Sequence, residues 1–409
     1  MAGIYIHIPF CKQACHYCDF HFSTLLKNKN DFLNALLKEI ELQKDYFSSK
    51  LSNKRLPTGN WQLPTDNCQL ATVNSVYFGG GTPSLLSETE INSIFDQLSK
   101  YFNIANDAEI TFEANPDDLT TAYLKSLRNT PVNRLSIGIQ SFSDDDLRFM
   151  NRVHNSKAAK ACVEFALQYG FENLSVDLIY GTPTMSNETW VNNLQTVFAF
   201  PVNHLSCYSL TIEPRTALAK MIKQGKAPGV NDQKAVEQFE LLMKLSAENG
   251  FEQYEISNFC RKEKYALHNS SYWKQEHYLG LGPSAHSYNG TSRQWNMANN
   301  SGYIKSLLNN DPDNYRENFV PGTPVGEKEE LTTEQKYNEY VMTSLRTKWG
   351  TSLQKINDTF GVKFGSHLVK QIKKFDNKDF LLEKENIFYL TGKGKLFADK
   401  IASELFISK

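Results

Sequence analysis

Three cysteines near the start of the sequence are the residues whose types and spacing most clearly indicate chemistry. Cys11, Cys15 and Cys18 follow a short apolar run with the spacing C-x3-C-x2-C. Thiolates are soft ligands that favour iron-sulfur clusters or zinc. Because a [4Fe-4S] cubane has four irons, three protein thiolates leave one iron free for an outside ligand. The spacing therefore predicts a cluster with one open corner.

Two other interpretations of the cysteines stay open on these residues alone. A structural zinc ion normally takes four protein ligands, and His16 or His21 could complete such a set. The three thiols could also carry no metal, since cysteines stay reduced in the cytosol. The spacing does not separate these interpretations without further motifs.

The sequence around the third cysteine is similar to that of a known family. The run Tyr17-Cys18-Asp19-Phe20, with the cysteine spacing, resembles the radical S-adenosylmethionine superfamily and, more narrowly, the family related to oxygen-independent coproporphyrinogen III oxidase. The resemblance extends over nearly the whole chain. It implies a [4Fe-4S] cluster held by Cys11, Cys15 and Cys18, whose fourth iron chelates S-adenosylmethionine. In that superfamily the reduced cluster cleaves this cofactor to a 5'-deoxyadenosyl radical.

The resemblance also implies which residues contact S-adenosylmethionine. Most of them follow predicted strands, and parallel barrels collect their functional residues at one such end. The glycine run at residues 79–81 is followed by Thr82-Pro83 and lacks the lysine of a phosphate loop. The resemblance implies instead that a backbone carbonyl of this loop meets the methionyl amino group. The implied set is Tyr5, Tyr17, Gly80, Gly81, Thr82, Glu113, Gln140, Arg152 and Asp177.

Individual roles within this set also come from the family. Glu113 is expected near the ribose and amino end, Gln140 at the ribose hydroxyls and Arg152 at the carboxylate, for which a guanidinium fork is well shaped. By residue type alone, Arg152 would be a surface charge, and Tyr5 and Tyr17 would be aromatic side chains that fill the barrel.

A second motif, at residues 268–273, bears on which molecule the protein binds besides the cofactor. Residues 268–273, HNSSYW, match the H-N-x-x-Y-W motif of the haem chaperone branch, and Phe20 stands where the oxidases carry a further cysteine. The cysteine motif also begins earlier than in the oxidases, which have an N-terminal extension. His and Tyr are axial ligand types for haem, and Trp can pack on the macrocycle. The resemblance therefore implies haem contacts from His268, Tyr272 and Trp273, with His286 as a further ligand candidate.

The expected function is that of a haem chaperone, which binds haem as cargo and delivers it to respiratory haem proteins. Two alternatives stay open: an oxygen-independent coproporphyrinogen III oxidase, and another radical enzyme acting on a tetrapyrrole. The residue at position 20 favours the chaperone, so we expect no coproporphyrinogen oxidase activity. The sequence leaves open a transient contact with a membrane protein and the formation of a homodimer.

Composition excludes several other classes of protein. The chain has 409 residues, of which 40% are hydrophobic and 22% charged, and its net charge is -1. No basic excess attracts nucleic acid, and no run of about 18 apolar residues could span a bilayer. With no signal-peptide pattern at its start, we expect a cytoplasmic protein. The remaining cysteines are expected to be buried thiols: Cys68, Cys162, Cys207 and Cys260.

Strand and helix patterns alternate in the first half of the chain. Parallel strands need crossover helices, so this alternation predicts an α/β fold built on an incomplete (β/α)6 barrel. The predicted strands are Ile4–Ile8, Ser75–Phe78, Glu109–Glu113, Arg134–Ile139, Leu174–Ile179 and Leu205–Leu210. One further strand is expected after the barrel, at Glu252–Ser257. The predicted helices are Asp31–Phe47, a helix from Ser87 through Leu98 with a capping box, Ser156–Tyr169, Asn187–Phe198 and Asp232–Asn249.

Four regions are expected along the chain. Helices followed by a hairpin at 380–390 suggest a small winged-helix-like domain, and its lysines are mixed with acids, so DNA binding is not expected. Polar residues with prolines and glycine at 48–72 indicate a surface insertion. The expected regions are a barrel at 1–215, a barrel extension with the HNxxYW motif at 216–300, a linker at 301–332 and the winged-helix-like domain at 333–409.

Overall fold

Six parallel strands form the centre of the protein. The structure, a computed structural model, describes residues 2–47, 71–308, 326–375 and 379–407. The central strands are β1 (Ala2–Ile8), β2 (Thr72–Gly80), β3 (Asn103–Ala114), β4 (Arg134–Gln140), β5 (Leu174–Tyr180) and β6 (His204–Ser209). The helices between them are α1 (Lys29–Leu42), α2 (Glu88–Tyr101), α3 (Thr121–Leu127), α4 (Asp144–Phe149), α5 (Ser156–Gln168) and α6 (Asn187–Ala199).

Further strands extend this sheet at both edges. The strands after β6 are β7 (Glu252–Gln253), β8 (Asn258–Cys260), β9 (His277–Leu281), β10 (His286–Tyr288), β11 (Ser292–Asn296) and β12 (Gly326–Glu330). The helices of this region are α7 (Ala217–Lys223), α8 (Asp232–Glu248), α9 (Leu267–Trp273) and α10 (Asn300–Leu308). The twelve-stranded sheet has the order β12-β11-β10-β9-β1-β2-β3-β4-β5-β6-β8-β7. Because β12 and β7 are its two ends, the six central strands form an incomplete barrel, as predicted.

The six central strands were all predicted from their apolar runs. In β1, Ile4, Ile6 and Ile8 are fully buried, and this strand pairs in parallel with both β2 and β9. The capping box that opens α2 is confirmed, with the Ser87 hydroxyl accepting from the Glu90 backbone and the Glu90 carboxylate accepting from the Ser87 backbone. This reciprocal bonding satisfies N–H groups that the first helical turn cannot pair internally.

Two expectations about local structure differ from what is observed. The strand expected at 252–257 is only Glu252–Gln253, because the chain turns at 254–257 and returns antiparallel as β8. The ends of the linker expected at 301–332 are regular, since α10 reaches Leu308 and β12 pairs with β11. The middle of that linker, at 309–325, and most of the expected insertion, at 48–70, lie outside the described residues.

The last region has its own core and a three-stranded sheet. Its elements are α11 (Thr333–Leu345), β13 (Thr351–Ser352), α12 (Leu353–Phe360), α13 (Val362–Ile372), β14 (Leu381–Lys384), β15 (Ile387–Leu390), α14 (Gly392–Lys395) and α15 (Ala398–Glu404). The predicted hairpin is confirmed as β14 and β15. Within the described segments, no helix is both long and apolar enough to cross a membrane.

A buried carboxylate joins the barrel to its extension. Glu39 of α1 is fully buried and accepts hydrogen bonds from the Gly282 backbone N–H (2.8 Å), the Asn296 side-chain amide (2.6 Å) and the Tyr303 hydroxyl (2.5 Å). Burial raises the pKa of Glu39 to about 6, and the three donors oppose this rise. The carboxylate therefore ties α1 to the end of β9, to β11 and to α10.

Replacing Glu39 by Gln should lower the free energy of unfolding by about 1–3 kcal/mol, because an amide NH2 then faces donors that had an acceptor. The pKa of Glu39 is higher in the folded chain, about 6, than its ordinary value of 4.5. The stabilisation of the fold that comes from this raised pKa is therefore complete below about pH 4.5 and is lost as the pH rises through about 6. Urea unfolding should show that the difference in free energy of unfolding between wild type and variant becomes smaller over that pH range.

The control is Glu41→Gln on the same helix, where the carboxylate pairs with Lys38 at the surface. This variant should unfold like the wild type. If the difference in free energy of unfolding between wild type and Glu39→Gln becomes larger as the pH rises, the raised pKa of Glu39 would be contradicted.

Candidate functional site

The cysteine loop between β1 and α1 has little regular structure and is held by neighbouring loops. The Cys11 N–H donates to the Ser23 carbonyl (3.0 Å), which closes the loop on itself. The His16 N–H donates to the Met150 carbonyl (3.1 Å), which ties the loop to the segment after α4. Lys12 forms an ion pair with Asp118 beyond β3. The loop is therefore positioned from three sides.

The glycine turn after β2 packs directly on the start of this loop. The Gly81 N–H donates to the Ile8 carbonyl at 2.8 Å, and a Cβ on Gly81 would lie 2.6 Å from the Phe10 carbonyl oxygen. Gly80 has a φ of +103°, and a Cβ there would meet the His7 ring at 2.7 Å. Glycine at position 81 is therefore required by the close approach of the two backbones, whereas the sequence suggested only an approach to the cofactor.

One pocket gathers the residues predicted from the cysteine motif and from the strand ends. Of the predicted cluster and cofactor residues, those lining it are Cys11, Cys15, Cys18, Tyr17, Gly80, Gly81, Thr82, Glu113, Gln140, Arg152 and Asp177. This is expected for a parallel sheet, because the carboxyl ends of its strands meet at one edge. Gln140 occupies this edge with a φ of +68°, a backbone conformation that is uncommon for a residue with a side chain. Tyr5 does not line the pocket.

Arg152 is anchored on one side and free on the other. Its Nη2 donates to the Asn115 side-chain oxygen (2.6 Å) and to the Gly138 carbonyl (2.8 Å), and its Nη1 donates to the Cys15 Sγ (3.3 Å). Among the residues that the structure describes, its buried Nε has no hydrogen-bond partner. A buried, unpaired N–H in a pocket is satisfied by an incoming acceptor, such as a carboxylate.

Two half-buried carboxylates, of Glu113 and Asp177, face the same pocket. Glu113 accepts a hydrogen bond from the Tyr77 hydroxyl at 2.6 Å, and burial raises its pKa to about 7. Asp177 accepts from the Ser136 hydroxyl at 3.0 Å, and burial raises its pKa as well. A cationic group entering the pocket would favour the ionised form of these carboxylates, so the site suits an ammonium.

The three thiols fit a cluster better than a single ion. In the described parts of the chain, no three His, Cys, Asp or Glu side chains converge closely enough to hold one metal ion. In a [4Fe-4S] cluster each thiolate binds its own iron, so the ligands are more widely spaced. Burial raises the pKa of Cys18 to about 11, so binding iron would displace a proton from this thiol. The Thr82 hydroxyl, 3.4 Å from the Cys11 sulfur, supplies a hydrogen bond to another of the three.

The haem residues expected from the HNxxYW motif lie in α9, beside this pocket. His268 is 2% exposed, and both of its ring nitrogens are engaged, with the Ser75 hydroxyl (2.9 Å) and the Tyr272 hydroxyl (3.0 Å). Trp273 donates its indole N–H to Asn269 and lies under the Arg346 guanidinium. Tyr272 lines a second cavity, and so does Tyr5.

Some of the contacts that build the site were not expected from the sequence. Asn115, which orients Arg152, stands two residues after Glu113 and could have been noticed from that position. The ion pair between Lys12 and Asp118 joins residues 106 positions apart, and no local pattern indicates it. Of the other cysteines, Cys162, Cys207 and Cys260 are buried thiols as predicted, and Cys68 lies outside the described residues.

Comparisons with known proteins agree with this geometry. The sequence profile of the Radical SAM superfamily matches residues 5–197, and that of the HemN C-terminal domain matches residues 331–397. Among solved structures, coproporphyrinogen III oxidase (HemN) from Escherichia coli, described as a radical SAM enzyme, superimposes with a TM-score of 0.79 at 22% identity. That match covers 99% of this chain and 90% of the oxidase, and it shows a shared fold.

Curated relatives match along the whole length. The heme chaperone HemW of Bacillus subtilis (strain 168) is 32% identical over 403 residues, which are 98% of each chain. The heme chaperone HemW of Mycobacterium tuberculosis (strain CDC 1551 / Oshkosh) is 30% identical over 98% of this chain and 94% of that protein. With the cysteine pocket and both domain profiles, these matches show that the chain belongs to the HemW family of the radical SAM superfamily.

Proposed function

We propose that this protein is a haem chaperone that carries a [4Fe-4S] cluster and S-adenosylmethionine and delivers haem to respiratory haem proteins. The observation that carries the proposal is the full-length similarity to HemW proteins, together with Phe20 at the mouth of the cysteine pocket. The resemblance to the coproporphyrinogen III oxidase family implies a cysteine at this position in the oxidases, whereas this chain has Phe20. The side chain of Phe20 is 70% exposed, which suits contact with an apolar ligand or partner.

In this proposal the pocket holds both cofactors through distinct groups. Cys11, Cys15 and Cys18 hold three irons of the cluster, and the fourth iron is left for the amino and carboxylate groups of S-adenosylmethionine. When reduced, the cluster supplies an electron for cleavage of the sulfonium. The protein's contribution would be to bind and orient S-adenosylmethionine: Glu113 would hold its ammonium group, and Arg152 its carboxylate.

In this proposal the HNxxYW motif contributes to haem binding because hydrogen bonds fix the positions of its side chains. Tyr272 reaches the second cavity, and its hydroxyl is held at 3.0 Å from the His268 ring. His268 in turn is fixed by Ser75 of β2. The motif therefore holds an aromatic wall in place from within the fold, and His268 acts as a positioning residue.

The cluster assignment predicts about four irons and four sulfides per chain after anaerobic reconstitution. Replacing Cys11, Cys15 or Cys18 by Ser should abolish this stoichiometry, because a hard hydroxyl replaces a soft thiolate. The measurement is iron and acid-labile sulfide content. Cys162→Ala, which removes a buried thiol that does not line the pocket, serves as the control and should retain the cluster. Stoichiometric zinc without labile sulfide would contradict the assignment.

Arg152→Ala should weaken S-adenosylmethionine binding by about 1–3 kcal/mol, the usual loss for a charged hydrogen bond. This corresponds to an increase in Kd of roughly fivefold to 150-fold. Isothermal titration calorimetry of the cluster-loaded protein measures the Kd for S-adenosylmethionine, and the iron content is checked in each preparation. Arg148→Ala removes a nearby exposed arginine that pairs with Asp145, and it should bind as the wild type does. Equal affinities in the two variants would place the carboxylate elsewhere.

The chaperone and the oxidase are separated by a paired assay on one preparation. The cluster-loaded chain should take up about one haem, seen as a Soret band, because the proposal makes haem its cargo. It should also leave coproporphyrinogen III unchanged under reducing, anaerobic conditions with S-adenosylmethionine. An active oxidase run in parallel verifies the assay. Vinyl-bearing product formed over multiple turnovers would contradict the chaperone proposal and favour the oxidase. Failure to take up haem would contradict the proposal that haem is the cargo.

A further inference from the structure

A second cavity adjoins the cysteine pocket, and Phe20 lines both. The cavity has a volume of about 440 Å3, within the usual range for small-molecule sites. Aromatic side chains make up much of its wall, including Tyr5, Tyr272 and Tyr278. Three histidines also line it: His7, His21 and His286. Aromatic surface combined with imidazole suits a flat, largely apolar ligand that carries a metal ion.

Most of the polar groups around this cavity are already bonded. The His7 ring is hydrogen-bonded on both sides, to the Tyr5 hydroxyl (3.1 Å) and the His21 carbonyl (2.8 Å). The Nε2 of His21 is bonded to the side-chain oxygen of Asn300 (2.6 Å). These two histidines are therefore built into the wall.

The two tyrosine hydroxyls nearest to α9 and β9 are bonded as well. The Tyr272 hydroxyl is bonded to the His268 ring at 3.0 Å. The Tyr278 hydroxyl is hydrogen-bonded to Arg293, which helps to hold this ring against Tyr272 at a centroid distance of 4.4 Å. These tyrosines present ring surface to the cavity, while their hydroxyls face other residues.

His286 is different. It is the first residue of β10, its side chain is exposed, and among the described residues its ring nitrogens have no hydrogen-bond partner. Its ring stacks on Trp295 of the neighbouring strand at a centroid distance of 6.2 Å and an interplanar angle of 28°. The stacking limits the orientations of the ring without using either nitrogen.

The ring of His286 is also held in the form that binds metal. Partial burial, with a smaller effect from the Arg293 guanidinium, lowers its pKa below the ordinary value of 6.5. At neutral pH the imidazole is therefore uncharged and has a lone pair available for a metal ion.

We propose that His286 supplies the axial imidazole for haem iron in this second cavity, with the ring of Phe20 packed against the macrocycle. This inference rests on the proposed function and names the site of its cargo. Because Phe20 also lines the cysteine pocket, the haem would lie next to the cluster and the cofactor. Since His286 lies at the exposed side of the cavity, an edge of the bound haem stays open to a recipient protein.

The rim of the cavity offers a group for a haem propionate. Asp19 lines the cavity and pairs at 3.8 Å with Arg215, whose side chain is 87% exposed. An exposed guanidinium beside an apolar cavity can pair with a carboxylate at the edge of the ligand.

The test uses the full-length, cluster-loaded chain and haem itself. His286→Ala should raise the Kd for haem at least tenfold and shift the Soret band, because the donor nitrogen is lost. Added imidazole should bind the iron in the vacated space and restore a Soret band near that of the wild type. Haem is counted as pyridine haemochrome, so iron of the cluster does not interfere.

Two variants serve as controls. His277→Ala removes another exposed histidine, on β9, that does not line the cavity, and it should leave both affinity and spectrum unchanged. His268→Ala should weaken uptake without shifting the Soret band, since this ring acts through Tyr272. Because the His286 ring makes no hydrogen bond to any of the described residues, its variant should unfold at the temperature of the wild type.

The outcomes separate this inference from the function on which it rests. If the wild type takes up no haem, the chaperone proposal itself fails. If the wild type takes up haem and His286→Ala has the same affinity and spectrum, the chaperone proposal stands and His286 is not the ligand. A Soret shift in His268→Ala, with none in His286→Ala, would move the ligand to α9.

Discussion

The parallel pairing of β1 with β2 is the interaction on which the site depends. Its register places Ile8, the last residue of β1, beside Gly80, so the cysteine loop starts where the glycine turn begins. The turn can approach because Gly81 has no side chain, and its N–H binds the carbonyl at the end of β1. Without this close approach the cysteines would not share a pocket with the ends of β3, β4 and β5.

The two cavities beside Phe20 differ in their electrostatic character. The cysteine pocket contains the charged groups of Arg152, Glu113 and Asp177. Desolvation raises the pKa of both carboxyl groups, and the nearby Asp177 raises that of Glu113 further. The second cavity is lined by aromatic rings and by imidazoles, and burial lowers the pKa of His286 and that of His7, the latter to about 4. Charged cofactor groups suit the first cavity, and a flat, largely apolar ligand suits the second. Phe20 therefore lies between a cavity lined by charged groups and one lined mainly by aromatic rings and imidazoles.

The extension of the sheet makes the second cavity. Strand β9 joins β1 in parallel and carries Tyr278, and β10 follows it with His286. Glu39 holds this extension against α1 through Gly282 and through Asn296 of β11. A buried carboxylate with three donors is stable only when all of them are in place, so this network fixes the extension relative to the barrel. The geometry of the second cavity thus depends on a residue that does not line it.

Motif and periodicity by themselves determined the cysteine triad, the glycine turn, the six central strands and the capped start of α2. Each depends on residues close together in the chain, and local spacing is visible in a sequence. Tertiary structure decided the rest. Contacts between distant segments produce the Asn115 bond that orients Arg152 and the burial of His268 with both ring nitrogens bonded. The position of His286 in the wall of the second cavity likewise depends on tertiary packing. Whether a side chain is bonded or available depends on its neighbours in space, and residue type does not reveal them.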